Sequence, residues 1–553
     1  MKNLRFYLVT VCSLLLFPLG AAAAEWQWSV SIPSMTSEET EGHPQAFLWI
    51  PADCQQVKAV VVGQHNMCEE TLFDNPSFRK RMQEAGIAVV WITPILDFPW
   101  KVENGCNQAL LTALDDLAKV SGYTELKYAP IVPLGHSAMA TYPWNFAAWN
   151  AERTLAVISY HGDAPRTNLC GYGRENLEWG RNRNIDGIPG LMIEGEYEWW
   201  EARVNPALAF RMMYPASCIS FLCDAGRGHF DVADRTADYV GLFLKKAVEQ
   251  RVPANWDGHS LPALKKLKPE EGWLAERWLG GNGQATETRQ ASTSRMPKRV
   301  SPAPFHQYKG DKHDAFWYFD KEMAELTESI YRQEADKKPQ YVGFIQEGKL
   351  LAYNPQSHVR VNARFIPESD GLTFHLKGTY TNDDHTAIQN KNHAQTPVHI
   401  SRICGPVRQI DDTTFQVAFY RMGTNNARRT PEINLLAYSD GDKVYKSTVQ
   451  ELSFRIPYPL TEGKRQCLLF PGLPDVKAGT ATLSPKATSD CGLPVSYYIK
   501  EGPAEMVDGK IVFTPIPPRS KFPVKVTVVA WQYGLQGKVQ TADPVERSFY
   551  IYK

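Results

Sequence analysis

Between residues 46 and 250 the chain switches repeatedly between short β-rich apolar runs and longer amphipathic stretches. The runs are "AFLWI", "KAVVVG", "AVVWITP", "APIVPLG", "LAVISYH", "GLMIEGE" and "CISFLCDA". Near-continuous apolar runs of strand length need cover on both faces, and parallel strands joined through helices provide it. The pattern therefore predicts a mostly parallel sheet coated by helices. Residues 107–120 read as one of those helices, with Leu110, Leu111, Leu114 and Leu117 on a single face, and "ADYVGLFLKKAVEQ" reads as the closing one. A chain of 553 residues with 43% hydrophobic content exceeds what one ordinary core accommodates, so two or three domains are expected.

After Pro253 the alternation stops. Residues 253–310 are expected to be a linker and helical connection, with 280–305 polar and bracketed by prolines. "AFWYFDKEMAELTESIYRQ" reads as a helix leading a β-sandwich over 311–462, and 463–553 reads as a separate β domain. At the other end, Lys2 and Arg5 precede an apolar run and then small residues up to Ala24, the layout of a cleaved secretory signal over 1–24. Cys12 lacks the small residue before it that a lipoprotein signal would show. No later stretch reaches the length of a membrane span. These features predict a soluble, exported protein with 25–252 as its first domain.

The 60 basic and 60 acidic side chains cancel, leaving no global field to attract nucleic acid or an anionic membrane. Cysteine spacing offers no zinc site, since neither CxxC nor HExxH occurs, and neither a metal nor a cofactor is expected. Cys218 and Cys223 are an odd number apart on one strand and should face opposite ways. Cys68 and Cys106 follow successive strands in loops at the same sheet edge, so a disulfide between them is expected in an oxidising compartment. Cys467 and Cys491 are placed to close a loop in the last domain.

The chemistry concentrates where apolar runs end. "IVPLGHSAMA" sets Ser137 directly after a strand and before a helix-like segment, with small neighbours that suit a crowded turn. A serine hydroxyl becomes a useful nucleophile only beside a base that takes its proton, itself oriented by an acid. "FLCDAGRGHFD" places His229 beyond another strand, and "GLMIEGEYEWW" places Glu198 beyond a third. Asp163, one strand earlier, is the alternative acid; Glu194 and Glu196 alternate with Glu198 on the same segment. Asp224 reads as structural, and His136 should turn away from the serine to pack or hydrogen-bond. The developing oxyanion needs donors: the backbone N–H of Ala138 is one candidate, and His65 or Asn66 in "QHNM" the other.

The order serine, acid, histidine, each beyond a strand end, resembles the α/β-hydrolase superfamily, especially compact esterases similar to dienelactone hydrolases and feruloyl esterases. The resemblance covers roughly residues 45–250. It implies an α/β-hydrolase domain with a mostly parallel sheet, followed by β-sandwich domains, in which Ser137 is the nucleophile, Glu198 the acid and His229 the base. Met139 departs from the motif, standing where a second glycine is usual. Separately, "GLPVSYYIKEGPAEMVDGK" in the last ninety or so residues resembles bacterial immunoglobulin-like domains.

Trp199 and Trp200 follow the acid, and an adjacent pair cannot easily share one core, so at least one is expected to meet solvent or a sugar ring. Trp144 and Trp179 lie near the same sheet edge, whereas Trp149 is expected in the core. Arg227, whose place beside the expected base is constrained, would suit a substrate bearing carboxylates; Arg166, Arg174, Arg181 and Arg183 in the preceding insertion could add to this, though for most of them solvated surface charge is the better reading. Together these features resemble exported bacterial esterases that strip methyl, acetyl or feruloyl groups from plant polysaccharides. The arginines favour a uronate polymer such as pectin as the polysaccharide partner. A carbohydrate-binding scaffold without catalysis, an esterase acting on neutral xylan and a serine peptidase of similar fold are the competing expectations.

Overall fold

The computed structural model describes residues 26–166, 177–180, 183–198, 201–278, 298–357, 359–388, 392–421, 423 and 425–553, without the side chains of 198 and 201–203. The expected signal segment, most of the expected linker, and Trp199, Trp200, Cys170, Arg174 and Arg181 lie outside these residues.

Each of the seven apolar runs is a strand. The sheet comprises β1 (Trp28–Ser31), β2 (Gln45–Trp49), β3 (Ala59–Gln64), β4 (Ile87–Thr93), β5 (Ile131–His136), β6 (Val157–Tyr160), β7 (Pro189–Gly195) and β8 (Cys218–Asp224). Their order across the sheet is β1-β2-β4-β3-β5-β6-β7-β8. The strands from β4 through β3 to β8 are parallel, and only β1 and β2 run antiparallel to their neighbours. Every residue of β3 to β8 is buried, which is why these strands carry no polar alternation.

Helices α1 (Glu69–Asp74), α2 (Pro76–Ala85), α3 (Cys106–Ser121), α4 (Tyr142–Trp149), α5 (Glu201–Met213) and α6 (Asp234–Arg251) connect the strands. Strand residues alternate between two core clusters: Phe47 and Val61 point into one, Leu48 and Val60 into the other. Leu110, Leu114 and Leu117 of α3 fill the second cluster. Cys68 belongs to the first cluster and Cys106 to the second, and no disulfide joins them. The expectation of that bridge is corrected: loops at one edge of a sheet can still turn their thiols to opposite faces. Cys467 and Cys491 are also thiols, flanking the short pairing of Leu468–Leu469 with Thr488–Ser489.

Strand β8 is the sheet edge, and the chain covers it. β9 (Trp273–Glu276), β10 (Ala303–Pro304) and β11 (Ala315–Tyr318) form an antiparallel sheet beside it, followed by α7 (Lys321–Gln333). Tyr318 Oη donates to the carbonyl of Phe221 at 2.6 Å, Ser220 Oγ to that of Trp317 at 2.5 Å, and the N–H of Cys223 to Tyr331 Oη at 3.2 Å. Hydroxyls thus occupy edge groups that would otherwise invite another strand. Trp317, Tyr318 and Tyr331 share the first core cluster, so β11 and α7 pack onto the α/β unit.

Two β-rich units follow, compatible with the expected sandwiches. In the second unit, Val361–Asn362, Thr448–Arg455, Glu432–Ser439 and His399–Cys404 form one sheet, and two three-stranded sheets accompany it around Phe344, Phe374, Phe415, Leu435 and Phe454. The third unit has its own core, with Phe470, Ile511, Val526 and Phe549. The second unit sits against the C-terminal ends of the parallel strands, where Lys446 Nζ meets Glu196 Oε1 at 2.5 Å and Tyr197 Oη donates to the carbonyl of Ser447 at 2.6 Å. The third unit returns to the chain start: Gly502 N–H donates to Trp26 O at 2.9 Å and Lys521 N–H to Ser121 O at 2.8 Å. Among the described residues no helix is long and apolar enough to cross a membrane.

The Lys446 and Glu196 side chains are 5% and 2% exposed, so removing one charge strands the other in a low-dielectric contact. Lys446→Met is expected to cost about 3–5 kcal/mol, the range for breaking a buried pair. Lys119→Met, which removes an exposed partner of Asp116, should leave the midpoint nearly unchanged, because water screens such a pair. Urea midpoints measure both, and equal shifts would show that the buried pair is solvated after all.

Candidate active site

Ser137 follows β5 without an intervening residue and opens a short 3-10 turn, Ser137–Met139, ahead of α4. Its φ is +54°, a left-handed conformation that costs a non-glycine residue on the order of 1–3 kcal/mol and persists only where the surroundings enforce it. Those surroundings are close. A Cβ on Gly135 would fall 2.2 Å from the carbonyl oxygen of Met139, and one on Gly162 would fall 2.0 Å from the Ala140 Cβ. The turn therefore needs glycine at 135, while its tight approach to the next strand is made by Ala140 against Gly162. Met139, the departure from the glycine motif, instead buries its side chain in the second core cluster.

His229 lies beyond β8, and its Nε2 is 2.8 Å from Ser137 Oγ. The two residues are 92 positions apart in the chain, and the fold brings them into direct hydrogen-bond contact. His136 is fully buried and its Nε2 donates to the carbonyl of His229 at 3.0 Å. A carbonyl only accepts, so the Nε2 of His136 carries the proton. His136 thereby braces the backbone of His229.

The acid position is approached by backbone. A Cβ on Gly195 would lie 2.6 Å from Arg227 O, and the Tyr197 N–H donates to that same oxygen at 3.0 Å. The turn Glu196–Glu198 consequently lies along the segment that leads into His229. The side chain of Glu198 lies outside the described residues. Glu196 is committed elsewhere, accepting from Lys446 and from the Gly226 N–H at 2.8 Å. Asp224 accepts from Arg235 at 2.7 Å and from Thr236. Glu194 is buried within β7, and Asp163 is buried after β6, its backbone carbonyl receiving Trp144 Nε1 and Ser159 Oγ, each at 2.9 Å.

The loop after β3 carries the other expected site residues. His65 donates its backbone N–H to Ile92 O at 2.8 Å, and its Nδ1 lies 3.0 Å from Thr93 Oγ1. Burial first, then Arg429 and Arg402, hold this imidazole well below the usual histidine range, so it is neutral. The N–H groups of Asn66 and Met67 both reach Glu69 Oε2, at 3.2 and 3.0 Å, while Glu69 Oε1 accepts from the His136 N–H at 2.8 Å. Asn66 Nδ2 donates to the carbonyl of His136 at 2.8 Å. Ala138, half-buried, follows Ser137 directly. Glu69 was not singled out from sequence, although it staples the 65–67 loop to the strand that presents the serine. Its only signal there is an acidic pair just past "QHNM".

The residues expected to meet substrate are placed as follows. Arg227 is buried, with its guanidinium 3.5 Å from Asp231, 2.9 Å from Asp440 of the second unit and over the ring of Tyr438, which gives it an interface role. Arg166 donates to Tyr214 Oη at 2.7 Å, and Arg183 is exposed. Trp144 is buried, Trp179 is buried and donates to Asn145 Oδ1 at 3.0 Å, and Trp149 packs with Trp100.

No protein-family model and no curated protein matches the chain. Solved structures of esterases and hydrolases align with a part of it at low identity. An esterase from Pyrobaculum calidifontis is 15% identical over 39% of this chain and 84% of its own, with a TM-score of 0.29. Est1E from Butyrivibrio proteoclasticus is 14% identical over 40% of this chain and 99% of its own (TM-score 0.29), and a dienelactone hydrolase from Anabaena variabilis is 18% identical over 40% and 96% (TM-score 0.26).

Burial pushes the Glu69 carboxyl up from 4.5 to about 7, against the pull of the backbone N–H donors and Arg429. The folded protein then keeps a proton that the unfolded chain releases, so stability from this group is present below pH 4.5 and is lost as pH rises through about 7. Glu69→Gln is expected to flatten that decline, read from urea midpoints across the interval. An undiminished slope in the variant would assign the decline to other groups.

Proposed function

We propose that the protein is an exported serine esterase that removes ester groups from plant cell-wall polysaccharide, using Ser137 as nucleophile, His229 as general base and Glu198 as the orienting acid. The observation that carries this reading is the 2.8 Å contact between Ser137 Oγ and His229 Nε2 at a serine held in a left-handed turn. In the reaction, Nε2 takes the hydroxyl proton as Oγ attacks the ester carbonyl, and returns it to the departing alcohol. The resulting acyl-enzyme is cleared by water through the same base. Glu198 is favoured as the acid because the backbone just before it is bonded to Arg227 O, two residues from the base. The Ala138 N–H would stabilise the oxyanion, and of the 65–67 loop the His65 ring is the better candidate, since the N–H groups of His65, Asn66 and Met67 and the Asn66 amide are bonded to Ile92, Glu69 and His136.

Pectin is the substrate that the arginine-rich insertion suggests, in the form of methyl or acyl esters. The engagement of Arg227 with Asp231 and Asp440 favours a second reading, an acetyl or feruloyl esterase acting on neutral xylan. Activity on pectic material that falls with added salt, while a small neutral ester is unaffected, supports the first, since screening weakens charge pairing. Equal rates on xylan without a salt effect support the second.

Ser137→Ala is expected to lower turnover of a chromogenic acetyl ester by about a thousandfold or more while leaving the unfolding midpoint near that of the wild type. Wild-type turnover in the purified variant would remove the assignment of the nucleophile.

A further inference from the structure

The peptide group joining Asn66 to Met67 is gripped at both ends by charged side chains from opposite parts of the chain. Its carbonyl accepts from Arg429 Nη1, and its N–H donates to Glu69 Oε2 at 3.0 Å. Arg429 Nη2 also donates to Asn66 Oδ1 at 3.2 Å, and the amide nitrogen of that side chain donates to the carbonyl of His136, directly before the serine. Arg429 belongs to the second unit. Its Nε is tied to Glu39 at 2.8 Å, and its side chain is only 10% exposed.

We infer that Arg429 is a positioning residue for ester hydrolysis, fixing from the second unit the orientation of the 65–67 loop and of the backbone before Ser137. The inference rests on the serine-esterase reading. Donors aimed at an oxyanion lower the barrier only when they need not reorient during the reaction. An untied loop peptide can rotate and exchange the directions of its N–H and C=O groups. Here rotation would break a bond at each end, to Glu69 and to Arg429, and the one from the guanidinium is charge-assisted and worth more than a neutral bond. The planar fork of arginine reaches the carbonyl, the side-chain oxygen and Glu39 at once, which a lysine ammonium cannot match. Because Arg429 acts on the loop and not on the substrate, its loss should appear in kcat and leave KM nearly unchanged.

The test uses the full chain, with kcat and KM on a chromogenic acetyl ester and the thermal midpoint measured for wild type, Arg429→Met, Arg429→Lys and Arg519→Met. Arg519 also joins a later unit to a buried carboxylate of the α/β unit, Glu125 at 2.9 Å, away from the 65–67 loop. Arg429→Met is expected to lose about tenfold or more in kcat with KM changed by less than about threefold, and Arg429→Lys to recover only part of the loss. Arg519→Met should keep its kcat even though its thermal midpoint falls. Wild-type kcat in Arg429→Met, or an equal kcat loss in Arg519→Met, would overturn the inference. Should Arg429→Met not fold, the lysine variant decides: a kcat within about twofold of wild type counts against the role, and a larger fall at constant KM supports it. A wild-type protein that leaves the ester intact overturns the esterase reading itself, an outcome distinct from any difference among the variants.

Discussion

Carboxylates buried beyond the ends of the parallel strands set the terms for the whole molecule. Glu70 lies between Arg402 and Arg421, each at 3.1 Å, Glu196 faces Lys446, and Asp231 faces Arg227, which in turn meets Asp440. Stripping such groups of water is costly, and removing any one partner leaves an uncompensated charge. For Glu70 and Glu196, the α/β unit supplies the acids and the second unit supplies the cations. Neither surface is a tolerable exterior for the other's core, so the two units are best regarded as one working body.

That arrangement places the second unit among the site loops. Ser447 sits where a Cβ on Gly226 would fall 1.9 Å from its Oγ, and Val449 meets Gly228 just ahead of His229. The turn bearing His229 is therefore shaped on one side by its own sheet, through His136, and on the other by residues more than two hundred positions later. A unit that sequence alone presents as an appendage contributes directly to where the imidazole stands.

The contrast between what sequence revealed and what it concealed follows from the range of the interactions. Buried parallel strands write their burial into consecutive residues, so β2 to β8 were legible, as was α3 from its leucine stripe. That Ser137 and His229 meet was legible from the small residues that crowd the turn at Ser137, a local pattern. The partner of Arg227 was not legible, because Asp440 lies 213 residues away. Glu69, Lys446 and Arg429 carry no local pattern at all, since a charged residue on a loop reads the same whether it meets water or a distant buried group. The thiols of Cys68 and Cys106 were misjudged because loop order fixes the edge at which a residue emerges, not the face toward which it turns.

The return of the third unit to the chain start has a temporal consequence. Trp26 lies in the first core cluster and holds the N–H of Gly502, while Ser29 of the sheet's outermost strand donates to Glu501 at 2.6 Å. A ribosome delivers Trp26 roughly 475 residues before Gly502, which at about 5–20 residues per second is a wait on the order of half a minute or more. During that interval the Trp26 carbonyl and the Ser29 hydroxyl lack these partners. The last unit acts as the clasp of the first, and a chain interrupted before it would leave those groups to water or to another partner.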